Sequence, residues 1–132
     1  MVQSFNAPYE AVGEELLSQL VDTFYENVKC HPLLHPIFPD DLKETARKQK
    51  QFLTQYLGGP SLYTEEHGHP MLRARHLPFP ITEERANAWL ECMEDAMDQV
   101  GLTGDIRDFL FERLSLTARH MINQTPEMDG RS

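Results

Sequence analysis

The chain has 132 residues, with 12 Lys and Arg against 21 Asp and Glu and a net charge of -9. That length makes one domain, able to bury roughly two thirds of the surface its unfolded form exposes, so a core can form without disulfides or a structural metal. The acidic balance, with no run of Lys or Arg to track phosphates, argues against nucleic acid and against an anionic membrane as partners.

Cys30 and Cys92 stand far apart and outside any C-x-x-C pattern, which fits a reducing compartment and not a disulfide framework. Residues 1–6 show no basic stretch followed by an apolar run, so no export signal is read there. No apolar stretch is long enough to span a bilayer. A cytoplasmic location is the expectation.

The apolar spacing is helical almost throughout. From residue 10 to 30, Leu16, Leu20, Phe24 and Val28 make one row and Leu17, Val21 and Tyr25 a second, together one broad apolar face. Val12-Gly13-Glu14 interrupts the start, so a short first helix is expected to join the main one at an angle. Pro32, Pro36 and Pro39 exclude a continuous helix over 31–40. Leu33, Leu34, Ile37 and Phe38 nevertheless predict a connection packed against the body of the protein. Asp40 or Asp41 caps the next helix, which runs to about Leu57 and stops at Gly58-Gly59-Pro60.

Residues 61–80 read as mostly irregular, with a short helix from Pro70 to His76 closed by Pro78 and Pro80. Thr82 caps a third long helix whose inner face is Ala86, Trp89, Leu90, Met93, Met97 and Val100. Gly101 and Gly104 bracket a turn. The last helix spans about Asp105 to Asn123, with Ile106, Phe109, Leu110, Leu114, Thr117 and Met121 inward. Residues 1–8 and 125–132 are expected to be loosely ordered tails of a single domain. No strand, repeat or low-complexity segment is visible, so the fold class is all-α. An irregular excursion so long in so small a domain asks for a reason, and a bound cofactor is one.

Several residues carry chemistry. His76 lies between prolines in Leu72-Arg73-Ala74-Arg75-His76-Leu77-Pro78, where a braced neutral imidazole makes a good metal ligand. An exposed or capping histidine is the alternative. Arg75 beside it suits an anionic group, or solvent. The helix after Asp41 places Thr45 and Gln49 where a core helix would carry aliphatics, with Phe52 further along the same face. A buried amide without partners costs roughly 1–3 kcal/mol, so Gln49 faces either solvent or a polar ligand. Lys48 flanks that stripe, and Arg47 points away towards solvent. Tyr25 and Trp89 sit on apolar faces, and each carries a donor that needs an acceptor if buried. Glu65-Glu66-His67-Gly68-His69 with His76 offers a zinc alternative, although its spacing matches no strong zinc motif. Cys30 and His31 are adjacent, with nothing beside them to make a nucleophilic pair.

In order, these segments resemble the group II truncated hemoglobins, from about Tyr9 to Asn123. The specific pieces are His31-Pro32-Leu33 with Ile37-Phe38-Pro39, Gln51-Phe52-Leu53 through Gly58-Gly59-Pro60, His69-Pro70-Met71-Leu72 through His76, and Ala88-Trp89-Leu90. The resemblance implies a shortened globin fold, two helix pairs in a two-over-two sandwich around heme b (iron protoporphyrin IX). It makes His76 the iron ligand and Phe38 the aromatic against the heme face. Tyr25, Thr45, Gln49 and Trp89 become the distal residues lining the ligand side. Lys48, Tyr63 and Arg75 become the residues that hold the propionates.

With Thr45 where many globins carry a distal histidine, Tyr25, Gln49 and Trp89 are left to stabilise a bound gas. Three donors around a ligand that gains negative charge imply high O₂ affinity and slow release, with CO gaining less. Such tight binding suits a sensor or scavenger better than oxygen transport. A second expectation is catalysis at the same iron, as a nitric oxide dioxygenase or peroxidase served by a partner reductase. A third is a heme-free helical interaction module. A monomer is expected, since no long apolar stripe is left over.

Overall fold

The computed structural model describes residues 8–68 and 81–123. Helix α1 is Pro8–Val12 and α2 is Glu14–Lys29. They part at Gly13, whose φ of 88° breaks the helical run at the position where the sequence interrupts its periodicity. Pro8 begins a helix instead of ending a loose tail, because the Tyr9 N–H bonds the Leu57 carbonyl at 2.9 Å. On α2, Leu17, Leu20, Val21, Phe24, Tyr25 and Val28 are buried, which is the broad face that the spacing predicts except for Leu16, which is half-buried.

The proline-rich connection holds a single 3-10 turn, His35–Ile37. Leu34 is fully buried, and Ile37 and Phe38 pack against the core, whereas Leu33 is exposed. Helix α3, Lys43–Tyr56, starts where Asp41 Oδ1 accepts from the Lys43 N–H at 3.0 Å. It ends at Gly58-Gly59. A Cβ on Gly59 would lie 2.8 Å from the Tyr9 ring and 2.9 Å from the Thr54 carbonyl oxygen, so only glycine lets α1 dock against the end of α3.

A helix then follows in the stretch expected to be irregular: α4, Leu62–His67. A segment this short is not stable by itself; α3 supports it. Gln55 donates to Thr64 Oγ1 at 2.7 Å and accepts from the Thr64 N–H at 2.9 Å. Tyr63 is buried edge-on against Phe52, ring centroids 5.9 Å apart. Arg47 is not simply solvated. Its guanidinium bridges Glu44 on its own helix and Glu66 of α4, the latter in two bonds of 2.9 and 2.6 Å. The expected helix from Pro70 to His76 lies outside the described residues.

Helix α5, Glu83–Val100, is capped by Thr82, whose hydroxyl accepts from the Arg85 N–H at 3.0 Å. It stops at Gly101 in the left-handed conformation, φ 80°. Helix α6 is Gly104–His120, three residues shorter at its end than the apolar pattern implies. The chain leaves the helix there because the Ile122 N–H bonds Arg119 and the Asn123 N–H bonds Ile81. Phe109 is half-buried with Arg113 over its ring.

Helix α2 packs along α5, with Asn27 reaching the Cys92 carbonyl at 3.1 Å, and also against α3, while α5 packs on α6. Two helix pairs, α2/α3 and α5/α6, thus form the two-over-two arrangement, with α1 bracing its end. Phe24, Met93, Met97, Leu53 and Leu110 are fully buried at its centre. Each large side chain so placed contributes about 1.5–3 kcal/mol relative to exposure. Among the described residues no helix is long and apolar enough to cross a membrane.

Candidate functional site

Between the two helix pairs lies a cavity of about 370 Å³, within the range of small-molecule and cofactor sites. Its walls follow helical spacing. Helix α3 presents Thr45, Lys48, Gln49 and Phe52, and α6 presents Leu114, Thr117 and Ala118 with its capping residue Met121, in each case one face at i, i+3, i+4 and i+7. Helix α2 contributes Tyr25, and α5 contributes Arg85, Ala86 and Trp89. Leu34, Ile37, Phe38 and Pro39 close one side, and Tyr63 and Ile81 complete the lining. This explains why the proline-rich connection is apolar: it is a wall.

The polar groups inside are unusual in what they lack. The Tyr25 hydroxyl is buried, at 6% exposure, and makes no hydrogen bond among the described residues. Burial pushes its pKa up, so it stays a neutral phenol and a donor. The Gln49 amide, the Trp89 indole N–H and the Thr45 hydroxyl are likewise without a hydrogen-bond partner among the described residues. Tyr25 is buried and the other three are half-buried, all four face one cavity, and a ligand there would supply the partner that the buried hydroxyl lacks.

Their positions are fixed by rings. Phe24, fully buried behind the wall, stands edge-on to Tyr25 at 4.8 Å and to Trp89 at 4.9 Å. Phe38 meets Tyr25 at 6.0 Å, also edge-on. Edge-to-face contacts of this kind favour one orientation, so phenol and indole are held in register across two helices.

Lys48 is exposed at the rim and forms no ion pair among the described residues. A flat group with an apolar body, a polar ligand on one face and carboxylates at its edge fits this lining: Phe38, Ile37, Leu114 and Met121 for the body, the unpartnered donors for the ligand, Lys48 for an edge carboxylate. The structure therefore brings together seven residues singled out in the sequence: Tyr25, Phe38, Thr45, Lys48, Gln49, Tyr63 and Trp89. His76 and Arg75 lie outside the described residues.

Arg85 was not singled out. It lines the cavity one turn before Trp89, and its Nε donates to the Leu33 carbonyl at 3.0 Å, tying the proline-rich wall to α5. The four-residue spacing from Trp89 was the available signal. Of the residues behind the zinc alternative, His67 and its neighbouring carboxylates are described. His67 is engaged by Gln51 at 2.8 Å, and no group of three or more His, Cys, Asp or Glu is gathered among the described residues; His69 and His76 lie outside them.

The comparisons with known proteins agree with this geometry. The bacterial-like globin family matches residues 7–123. The group 2 truncated hemoglobin YjbI of Bacillus subtilis is 81% identical over 132 residues, covering 100% of both chains. In structure, the truncated oxygen-avid hemoglobin of Bacillus subtilis superposes with a TM-score of 0.89 at 84% identity, covering 89% of this chain and 100% of that one. The group II truncated hemoglobin of Bacillus anthracis gives 0.90 at 70% identity, covering 92% and 94%. The chain therefore belongs to the bacterial-like globin family, as a group II truncated hemoglobin whose cofactor is heme.

Proposed function

We propose that the protein binds O₂ with high affinity, and CO and NO at the same place, with His76 holding the heme iron and Tyr25, Gln49 and Trp89 donating hydrogen bonds to the gas. The observation that carries this reading is the set of unpartnered donors in one cavity. Heme supplies, when bound, an iron that takes a diatomic molecule as its ligand. The chain supplies the rest. Tyr25 donates from α2, Trp89 from α5 and Gln49 from α3, so the gas is approached from three helices. The largely apolar walls lower the local dielectric, which strengthens each of those bonds. Phe38 would pack on the face of the ring, and Lys48, Tyr63 and Arg75 would hold the edge carboxylates. A close relative in Bacillus subtilis is described as oxygen-avid, in keeping with a donor-rich pocket.

Turnover of nitric oxide or of peroxide at the same iron is the second reading, and it requires a reductase as partner.

The test is His76→Gly. Tight heme retention is lost and returns on adding imidazole, while the helical far-UV signal persists. Undiminished heme retention in His76→Gly, without imidazole, refutes the assignment.

A further inference from the structure

The proline-rich wall of the cavity has few donors with which to hold itself, since Pro32, Pro36 and Pro39 offer no N–H. Its turns are closed by main-chain bonds. The Leu34 and His35 N–H groups donate to the His31 carbonyl at 3.2 and 2.9 Å, the Ile37 N–H donates to the Leu34 carbonyl at 3.0 Å, and the Phe38 N–H donates to the His35 carbonyl at 3.3 Å. These bonds couple Phe38 to the residues around Leu33, so a shift at Leu33 is carried to Phe38.

Helix α5 grips this wall with two side chains. Arg85 Nε donates to the Leu33 carbonyl at 3.0 Å, and Glu91 Oε1 faces His31 Nε2 at 3.5 Å. The two grips are unequal. The His31–Glu91 contact is long, and the Glu91 side chain is 72% exposed, so it contributes little. The Arg85 bond has ordinary length and a charged donor, which makes it the stronger one. Leu34, fully buried beside Leu33, adds attraction, but burial has no direction. Arg85 is what fixes the wall's orientation on α5.

The wall in turn bears on a donor of the cavity. Two rings set the Tyr25 phenol, Phe24 at 4.8 Å and Phe38 at 6.0 Å, both edge-on. Phe24 is fully buried on the same helix, so the core fixes it. Phe38 is half-buried and belongs to the wall, so it is only as firm as the wall is. A wall that drifts from α5 therefore frees one side of the phenol and leaves the other in place.

We infer that Arg85 is a positioning residue for the gas donor Tyr25: by gripping the Leu33 carbonyl it holds Phe38 against the phenol and so aims the hydroxyl into the cavity. The inference rests on Tyr25 serving the gas and deepens that reading, because it assigns the aim of a donor on α2 to a hydrogen bond made by α5.

The test compares Arg85→Met, Arg85→Gln, Tyr25→Phe and the double variant Arg85→Met/Tyr25→Phe in the heme-loaded protein. Two readouts are used: the rate of O₂ release, and the C–O stretching band of the CO complex by infrared spectroscopy. Met keeps the length of the side chain and removes the donor. Gln carries an N–H donor as many bonds from the main chain as Arg Nε, so the pair isolates the hydrogen bond from the charge that both variants lose. In Arg85→Met, O₂ leaves about fivefold faster, a part of what losing the Tyr25 hydroxyl costs, and the band broadens or moves to higher frequency as the donor is withdrawn. Arg85→Gln restores both. The double variant releases O₂ no faster than Tyr25→Phe alone, the non-additivity of two residues that act through one contact. Parent-like release and an unmoved band in Arg85→Met, with both altered in Tyr25→Phe, overturn the inference while the reading of Tyr25 stands. So does a double variant in which the two effects add, or an Arg85→Gln as fast as Arg85→Met. Parent-like release in Tyr25→Phe overturns the reading and the inference with it.

Discussion

The Tyr25 hydroxyl offers the sharpest test of how this cavity works, because its predicted effects on ligand and fold have opposite signs. Tyr25→Phe removes one oxygen and keeps the ring that Phe24 and Phe38 hold edge-on. The hydroxyl is buried and has no hydrogen-bond partner among the described residues. Leaving a buried polar group unsatisfied costs on the order of 1 kcal/mol or more, so the variant's unliganded ferrous form should resist urea better by about 1 kcal/mol. The ligand loses instead. A hydrogen bond to an acceptor bearing charge is worth about 1.5–3 kcal/mol, which at roughly 1.4 kcal/mol per factor of ten speeds O₂ release about tenfold to a hundredfold. CO, which carries less negative charge, leaves at a nearly unchanged rate. Stopped-flow ligand replacement and urea unfolding of the same preparations measure both quantities. An unchanged O₂ off-rate, or a variant that unfolds more easily than the parent, refutes the view that this hydroxyl is reserved for ligand.

Two further predictions concern the frame around the site. Gly59→Ala forces a methyl against the Tyr9 ring and the Thr54 carbonyl oxygen; overpacking of this kind costs about 1–3 kcal/mol, seen as a lower urea midpoint, and an unaltered midpoint contradicts the close approach. Hydrogen bonds from Arg47, and then from Gln51, hold the Glu66 carboxyl down to about 2, against its ordinary value of 4.5. A depressed folded value stabilises fully above the unfolded one, so the contribution of the α3–α4 staple is lost as pH falls from 4.5 towards about 2. In Arg47→Ala, carboxyl ¹³C NMR should show Glu66 titrating closer to 4.5; titration still near 2 means that another group holds it.

The long helices were legible because burial leaves a periodic mark: α2 and α5 bury most of the rows that the spacing selects, with Leu16, Trp89 and Val100 only half-buried, while α5 also buries Ala88, Cys92 and Ala96, too small to stand out in an apolar pattern. Part of the site was legible for the opposite reason. Thr45 and Gln49 break an apolar face where no core would place them, and both line the cavity. Helix α4 was not legible, since its six residues are too few for a period to show and its support comes from Gln55, Phe52 and Arg47 on another helix. Arg47 could not be told from a solvated arginine without knowing that Glu66 folds back onto it. Phe24 looked like ordinary core, and only the fold reveals that its ring spaces Tyr25 from Trp89. The bonds that Asn123 makes to Ile81 show no local signal at all, because the two residues lie 42 positions apart. Order along the chain, more than any single residue, pointed to His76.

A crystal structure of the heme-loaded protein with gas bound decides whether these donors serve the ligand. His76 Nε2 should lie on the iron, and the Tyr25 hydroxyl, Trp89 indole N–H and Gln49 amide should converge on the gas, with donor–acceptor distances of about 2.7–3.2 Å for those in contact. A different residue on the iron, or those three donors turned away into bonds with the protein itself, contradicts this reading.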